Sequence, residues 1–218
     1  LYYKTPYSYY KLRFDYRFNG EQVNGGEDWN VRNSGIMLHS QSAESNDYGQ
    51  FFPVSIEIQL LGGLGAEDRS TGNVCTPGTA LVMEGTTNYQ HCIDSKSKTY
   101  HGDQWVSAEV VVLGGESIFH LIENDTVLQY QSPQIGGGFT NPKMGEEDWI
   151  SRGVVESKDS WIAQAGEILT KGYISLQAES HPIDFKNIQL LDLCGCKDPK
   201  AKNYKSYFVK ADNQQCVY

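Results

Sequence analysis

The stretch GYISLQAESHPIDFKNIQLLDL, residues 172–193, predicts two β-strands joined by a polar corner. Apolar and polar residues alternate in its first part, as expected of a half-buried strand. Pro182 restricts the residue before it to an extended conformation and lacks a backbone donor, which favours a corner. The apolar alternation changes parity between Phe185 and Ile188, so we expect a β-bulge near Lys186-Asn187. We therefore expect one sheet to carry together the side chains of Gln177, Glu179, His181 and Lys186.

Alternating segments elsewhere in the chain extend this pattern to an all-β protein. Residues 9–18 alternate almost without exception, and residues 105–113 and 117–123 predict a hairpin across Gly114-Gly115. The 218 residues include 22 glycines and 14 tyrosines and contain no long segment of helical periodicity. A chain of this length and composition favours one large β domain, with or without a small appendage.

Two further predicted strands, residues 33–41 and 54–61, place polar side chains on one shared face. Their apolar residues would point to the core, and the opposite face would carry Asn33, His39, Glu57 and Gln59. A carboxyl group and amides in mid-strand suggest a polar site, although a plain solvent-facing sheet surface is the alternative. Trp29 precedes these strands in a loop and is either an exposed platform for a sugar or a core residue.

The net charge of −9 argues against a surface that binds phosphate groups. Nucleic acids and anionic lipids are therefore poor candidates as partners. No apolar segment approaches the roughly 18–20 residues needed to span a bilayer. No signal peptide is visible, but because the sequence begins at Leu1, its absence carries no information about export.

Five cysteines predict disulfide bonds and an oxidising, extracytoplasmic location. None has the CxxC spacing of a zinc site, and free cytosolic thiols are the alternative. We predict the pairs Cys75–Cys92 and Cys196–Cys216, with Cys194 unpaired or exchanging with Cys196.

Two irregular regions interrupt the predicted strands. Residues 62–103 predict a long loop region pinned by the Cys75–Cys92 pair, which could form the rim of a cleft. Residues 133–170 predict a second insertion with a short helical turn within 161–170. This insertion contains the acidic residues 146–148, which are more typical of a solvated loop than of a calcium site. A divalent metal such as Ca²⁺ stays an open alternative, and no cofactor is assigned.

The composition changes after the second strand of the opening stretch, which predicts two domains. Residues 1–193 would form the β domain, and residues 194–218 a small C-terminal module. The module is too short to hold a core of its own, so a disulfide would stabilise it.

The order of four motifs resembles the 3-keto-disaccharide hydrolase family over roughly residues 8–193. The motifs are Asn33-Ser34-Gly35-Ile36, Ile56-Glu57-Ile58-Gln59, the strand at 105–112, and GYISLQ at 172–177 followed by PIDFKNI at 182–188. This resemblance implies a concanavalin A-like jelly-roll sandwich of two curved antiparallel sheets with long loops. The usual opening strands of such domains are missing here, so the chain is expected to start inside the domain. The tail resembles a Cys-containing module of surface proteins from Bacteroidetes-type bacteria.

The resemblance also implies a reaction, the cleavage of glycosides already oxidised to a ketone at C3. The ketone acidifies the hydrogen at C2, so a base can remove it, the C1 substituent leaves by elimination, and water adds afterwards. The candidate bases and acids are His39, Glu57, Glu179 and His181. The candidate donors to the enolate oxygen or to sugar hydroxyls are Asn33, Gln59, Gln177 and Lys186.

Three alternatives remain open at this stage. Glu57 and Glu179 could be the two carboxylates of an ordinary glycoside hydrolase. A non-catalytic carbohydrate-binding domain would use Trp29, Trp105 and Tyr173 as stacking platforms. A structural subunit of a cell-surface assembly would use the sandwich as a scaffold for cell-surface protein partners.

Overall fold

The computed structural model describes residues 1–137 and 145–218, which form mainly β-strands. The strands are β1 (Tyr2–Tyr7), β2 (Tyr9–Phe18), β3 (Asn33–Ser40), β4 (Ile56–Leu61), β5 (Asn73–Cys75), β6 (Thr79–Met83), β7 (Thr86–Asn88), β8 (Cys92–Ile93), β9 (Val106–Leu113), β10 (Ser117–Ile122), β11 (Asp125–Ile135), β12 (Gly172–Leu176), β13 (Ile183–Asp192), β14 (Cys194–Gly195) and β15 (Lys210–Ala211). The α-helices are α1 (Glu146–Ile150) and α2 (Lys158–Ala163), and the 3-10 helices are Asp28–Asn30, Ala43–Ser45 and Asn213–Gln215.

Two large sheets pack face to face. In the described part of the chain, the first sheet has the strand order β1-β12-β3-β4-β5-β8 and the second the order β13-β2-β9-β10-β11-β6-β7. Neighbouring strands pair antiparallel within both sheets, and β14 and β15 form a separate parallel pair. The predicted all-β sandwich of two antiparallel sheets is confirmed.

The core lies between the sheets and follows from the alternation in the sequence. Strand β2 buries the side chains of Tyr10, Leu12, Phe14, Tyr16 and Phe18. Burying one side chain of this size stabilises the fold by roughly 1.5–3 kcal/mol. Strands β3 and β4 contribute from the other sheet the side chains of Ile36, Leu38, Ile56, Ile58 and Leu60. The remaining residues of β3 and β4 must therefore face away from the core.

The two strands of the opening stretch lie in different sheets, which corrects one prediction. Strand β12 lies between β1 and β3 in the first sheet, whereas β13 is the edge strand of the second sheet beside β2. The predicted bulge is confirmed, because the register shifts between Lys186 and Gln189 and Asn187 has a φ of 52°. Since β13 has changed sheets, Lys186 does not join Gln177 and Glu179.

Both predicted irregular regions contain more regular structure than expected. Residues 62–103 include the short strands β5 to β8, and β11 extends to Ile135. The helical turn expected within 161–170 is α2, which begins earlier, at Lys158. Residues 138–144 of the second region lie outside the described residues.

The disulfide predictions are confirmed. Cys75 is bonded to Cys92 and Cys196 to Cys216, while Cys194 is free. The segment after β13 is held by its disulfide, by the β14–β15 pair and by packing of Phe208 on Gly195. The division into residues 1–193 and 194–218 stays a prediction. No helix in the described residues is long and apolar enough to cross a membrane.

Candidate functional site

The outer face of the first sheet carries a row of directly paired residues with Glu57 at its centre. Its members, in strand order from β12 to β8, are Ser175, Met37, Glu57, Cys75 and Cys92. Directly opposite residues of an antiparallel pair project to the same side, so these five side chains share one face. The next row on this face consists of Gly35, Gln59 and Asn73.

Gly35 makes room for the carboxyl group of Glu57. A Cβ atom at Gly35 would lie 2.6 Å from Cγ and 2.7 Å from Cδ of Glu57, closer than real Cβ atoms approach. The side chain of Glu57 therefore lies across the backbone of β3. The glycine is needed here for close approach, which explains its position in the interior of a strand.

Three amide side chains beside Glu57 hold one another in place. Nε2 of Gln59 donates to Oδ1 of Asn33 at 3.3 Å, and Nδ2 of Asn73 donates to Oε1 of Gln59 at 3.2 Å. Nδ2 of Asn33 donates to the carbonyl oxygen of Trp29 at 3.4 Å. Nδ2 of Asn73 also donates to the carbonyl oxygen of Ser70 at 3.2 Å, so both of its hydrogens are used. Each NH₂ group has two hydrogens, so Asn33 and Gln59 each keep one N–H for a ligand. Asn73 was not predicted from the sequence, because it lies in a three-residue strand within a region of weak pattern.

Loops cover this face and turn it into a cleft of about 280 Å³ that is open to solvent. This volume is close to the lower end of the roughly 300–1,000 Å³ of ordinary ligand sites. The cleft is lined by Trp29, Asn33, Phe52, Glu57, Gln59, Cys75, Pro77, His91, Cys92 and Glu179. The side chain of Trp29 is 58% exposed, which favours the interpretation as a platform over that as a core residue.

Both carboxyl groups of the cleft hold a proton more tightly than usual. Burial, followed by the nearby charge of Glu179, raises the pKa of Glu57 to about 8. Burial raises the pKa of Glu179 to about 7. Among the described residues that line the cleft, none is a lysine or arginine that would favour the charged forms. Near neutral pH the pair therefore holds one or two protons and can serve as both acid and base.

Gln177 lies next to this cleft, beyond Glu179. Its backbone N–H donates to the carbonyl of Gly35 at 2.9 Å, and its side chain lines a second hollow that also contains Glu179. Among the described residues, Oε1 of Gln177 is buried and has no hydrogen-bond partner. An acceptor in this position is costly unless a ligand or water satisfies it.

His181 is near Glu179 in sequence but does not line the cleft. Its ring packs edge-on against Phe18 of the second sheet, with 5.8 Å between ring centroids. Both ring nitrogens are buried without a partner in the described residues. Burial, followed by the charge of Arg32, lowers the pKa of His181. The predicted convergence of His181 with Gln177 and Glu179 is therefore not what the structure shows.

His39 and Lys186 also lie away from Glu57. His39 has a left-handed backbone, with φ of 47°, where the pairing of β3 with β12 shifts register. Because of this irregularity the ring of His39 points to the β9–β10 turn, where its Nε2 atom lies 3.0 Å from the carbonyl oxygen of Gly114. Burial lowers the pKa of His39 to about 4. Lys186, on the second sheet, places Nζ 3.8 Å from the ring centroid of Trp105.

The described residues offer one cluster with metal-ligand geometry, Cys75, His91 and Cys92. Because the two sulfur atoms are bonded to each other, neither is available as a thiolate ligand. The acidic residues 146–148 form the first turn of α1, where Oδ2 of Asp148 accepts from the N–H of Gly145 at 2.8 Å. The disulfide cluster therefore does not fit a bound metal.

The sandwich and its covered polar face define a carbohydrate-related β domain. The chain belongs to the family of the 3-keto-alpha-glucoside-1,2-lyase-like domain, whose model matches residues 1–191. The resemblance seen in the sequence is thus confirmed, and the match includes residues 1–7.

Two solved structures are similar to this chain. One is titled "Putative glycosyl hydrolase from Parabacteroides distasonis ATCC 8503"; it has 18% identity and a TM-score of 0.51, with 88% of this chain and 81% of that chain covered. The other is carbohydrate binding module CBM66 from Bacillus subtilis, with 7% identity, a TM-score of 0.44 and coverage of 86% and 77%. The first likeness supports the fold. A search of curated protein sequences found no significant match.

Proposed function

We propose that this protein is an exported enzyme that cleaves 3-keto-glycosides, with Glu57 and Glu179 as its acid and base. The observation that carries the proposal is the pair of protonatable carboxyl groups in one cleft, beside a row of fixed amides. Membership of the 3-keto-alpha-glucoside-1,2-lyase-like family supports the choice of substrate.

The first step is an elimination. The carboxylate of Glu179 accepts the proton from C2 of the sugar, and the electrons of that C–H bond delocalise into the C3 ketone as an enolate. The enolate then forms the C1=C2 double bond, while the bond from C1 to the leaving oxygen breaks and its electrons stay on that oxygen. Glu57 gives its proton to the leaving oxygen, so an alcohol departs. Addition of water across C1=C2 completes the hydrolysis.

The assignment of the two roles follows from the burial of the two carboxyl groups. Glu57 is buried and Glu179 is only partly buried, so Glu57 is the group that keeps its proton at neutral pH. Glu179 has a pKa of about 7 and is partly ionised there, as a base must be. A catalytic acid and base work best when their pKa values are close to the working pH.

The amides and Trp29 are assigned to binding. The free N–H groups of Asn33 and Gln59 can donate to the enolate oxygen or to sugar hydroxyls. Their mutual hydrogen bonds hold them in place before the substrate arrives, which limits reorganisation during the reaction. The exposed ring of Trp29 offers a flat apolar surface for one face of the sugar.

A second candidate is ordinary hydrolysis of unoxidised glycosides, favoured by the presence of two carboxyl groups in one cleft. That reaction requires one ionised carboxylate as nucleophile or base, together with one acid. The two mechanisms differ in the need for a ketone, so matched oxidised and unoxidised glucosides distinguish them.

Export is supported by the two disulfide bonds, since such bonds persist in oxidising compartments. A role as a carbohydrate-binding or structural subunit at the cell surface would use the same fold without turnover.

The test is incubation of the protein with methyl 3-keto-glucoside and methyl glucoside, with and without a chelator, followed by a product assay. We expect methanol release from the ketone alone, and deuterium at C2 of the recovered sugar when the solvent is D₂O. Glu57→Gln and Glu179→Gln should each lower the rate of release by roughly 10²–10⁴-fold, while Glu109→Gln, on the outside of the second sheet, should not change it. Absence of release from both sugars under both conditions would refute the enzymatic proposal.

A further inference from the structure

The cleft continues past Glu179 into a second hollow of about 360 Å³. Phe52 and Glu179 line both spaces, so the carboxyl group of Glu179 lies where the cleft and the hollow meet, and Glu57 lies on the cleft side. Met37 also lines the hollow, and it is the direct neighbour of Glu57 in the cross-strand row. A ligand whose reacting bond lies at these carboxyl groups would therefore extend into both spaces.

The two spaces differ in chemistry. The cleft has the amides of Asn33 and Gln59, which suit a polyhydroxylated ring. The walls of the hollow are mainly apolar and include Met37, Phe51, Phe52, Pro53 and Leu176. Apart from Glu179, the polar side chains that the described residues bring to the hollow are the hydroxyl of Ser175 and the amide of Gln177. A second sugar would lose hydrogen bonds to water on entering the hollow without enough replacements.

Phe51 provides a separate observation at the rim of the hollow. Its side chain is 68% exposed, although it is a large apolar residue in a loop that contacts the site. A flat apolar ligand in the hollow would cover this ring and remove it from water, which favours binding.

We infer that the hollow receives the leaving group, and that this protein prefers 3-keto-glucosides with an aromatic leaving group over 3-keto-disaccharides. The inference rests on the proposed function of the Glu57–Glu179 pair and adds the substrate class. Phe51 is then a specificity-determining residue, because it contacts the leaving group and not the sugar.

The test compares benzyl and methyl 3-keto-glucosides, because benzyl alcohol and methanol are leaving groups of similar acidity. Burying much of a phenyl ring should raise kcat/KM about tenfold for the benzyl substrate. A 3-keto-disaccharide should be no better than the methyl substrate. Phe51→Ala should lower kcat/KM several-fold for the benzyl substrate alone. The matched control is Tyr48→Ala, a fully exposed residue of the same loop that lines neither space.

Binding distinguishes failure of this inference from failure of the proposed function. Titration calorimetry with the Glu57→Gln variant should give about tenfold tighter binding of the benzyl than of the methyl 3-keto-glucoside, and the difference should shrink when Phe51→Ala is added. Equal affinities, tighter binding of the disaccharide, or equal effects of Phe51→Ala on both substrates would overturn the inference. Preferential binding without any turnover would preserve the hollow as a ligand site and refute the enzymatic proposal.

Discussion

Replacing Gly35 with alanine should disable the site by displacing one carboxyl group. The new Cβ atom would lie 2.6 Å from Cγ of Glu57, whereas ordinary contacts begin at 3.4 Å. The side chain of Glu57 must therefore move by about 1 Å, and displacements of that size cost about 100-fold in turnover. Because the contacts lie toward the end of a flexible side chain, the loss of stability should be within the roughly 1–3 kcal/mol typical of overpacking.

A double-mutant cycle tests this explanation. In the Glu57→Ala background the carboxyl group is absent, so Gly35→Ala should change the free energy of unfolding by less than about 0.5 kcal/mol. The assay is urea denaturation of the four proteins of the cycle, together with turnover of methyl 3-keto-glucoside by wild type and Gly35→Ala. Gly145→Ala is the matched control, because its Cβ would meet no atom of the described residues nearer than 3.8 Å and its φ is −82°.

Two results would refute the reasoning. One is full activity of Gly35→Ala, which would mean that the position of the Glu57 carboxyl group does not matter. The other is an equal loss of stability from Gly35→Ala with and without Glu57, which would place the clash elsewhere in the sheet.

Three further predictions concern stability and the wall of the cleft. The folded state keeps the proton of Glu57 up to about pH 8, whereas the unfolded state releases it near 4.5, so Glu57 should lower stability by roughly 3 kcal/mol between pH 4.5 and 7. In urea denaturation at several pH values, Glu57→Gln should reduce the slope of stability against pH and leave the part that comes from the raised pKa of Glu179. Replacing both cysteines of the Cys75–Cys92 pair with serine should lower the free energy of unfolding by about 3 kcal/mol and also lower activity, because this disulfide lines the cleft. Replacing the Cys196–Cys216 pair in the same way should leave activity unchanged. Equal effects of the two replacements on the kinetics would contradict the location of the site. His181→Leu should change stability by less than about 1 kcal/mol and turnover by less than threefold, because the buried ring nitrogens make no hydrogen bond within the part of the chain that the structure describes. A loss of turnover as large as that of Glu57→Gln would restore His181 to the catalytic set.

The strands of the sandwich could be predicted because alternation determines which side of a strand is buried. Strand β2 and the face of Glu57 and Gln59 on β4 follow directly from the sequence pattern. The same rule predicts the bulge in β13, because a change of parity requires an extra residue.

The site was predicted only in part, because alternation does not show where a chain changes sheets or reverses a side chain. Lys186 lies outside the site because the chain crosses to the second sheet after Pro182. His39 lies outside the site because its left-handed backbone within β3 turns its side chain away, and nothing in the residue pattern indicates this conformation. Phe52 and Asn73 belong to the site but were not predicted, because their segments are too short or too irregular to carry a periodic pattern.

The pH dependence of kcat/KM for methyl 3-keto-glucoside tests the central claim most directly, namely that Glu57 and Glu179 act as acid and base. We expect a bell-shaped profile of kcat/KM against pH, with apparent pKa values near 7 and 8 that belong to the coupled pair. Glu179→Gln should abolish the rising limb along with most of the activity, and Glu57→Gln the falling limb. A rate that does not vary between about pH 6 and 9, or a bell that both variants leave unchanged, would contradict the account.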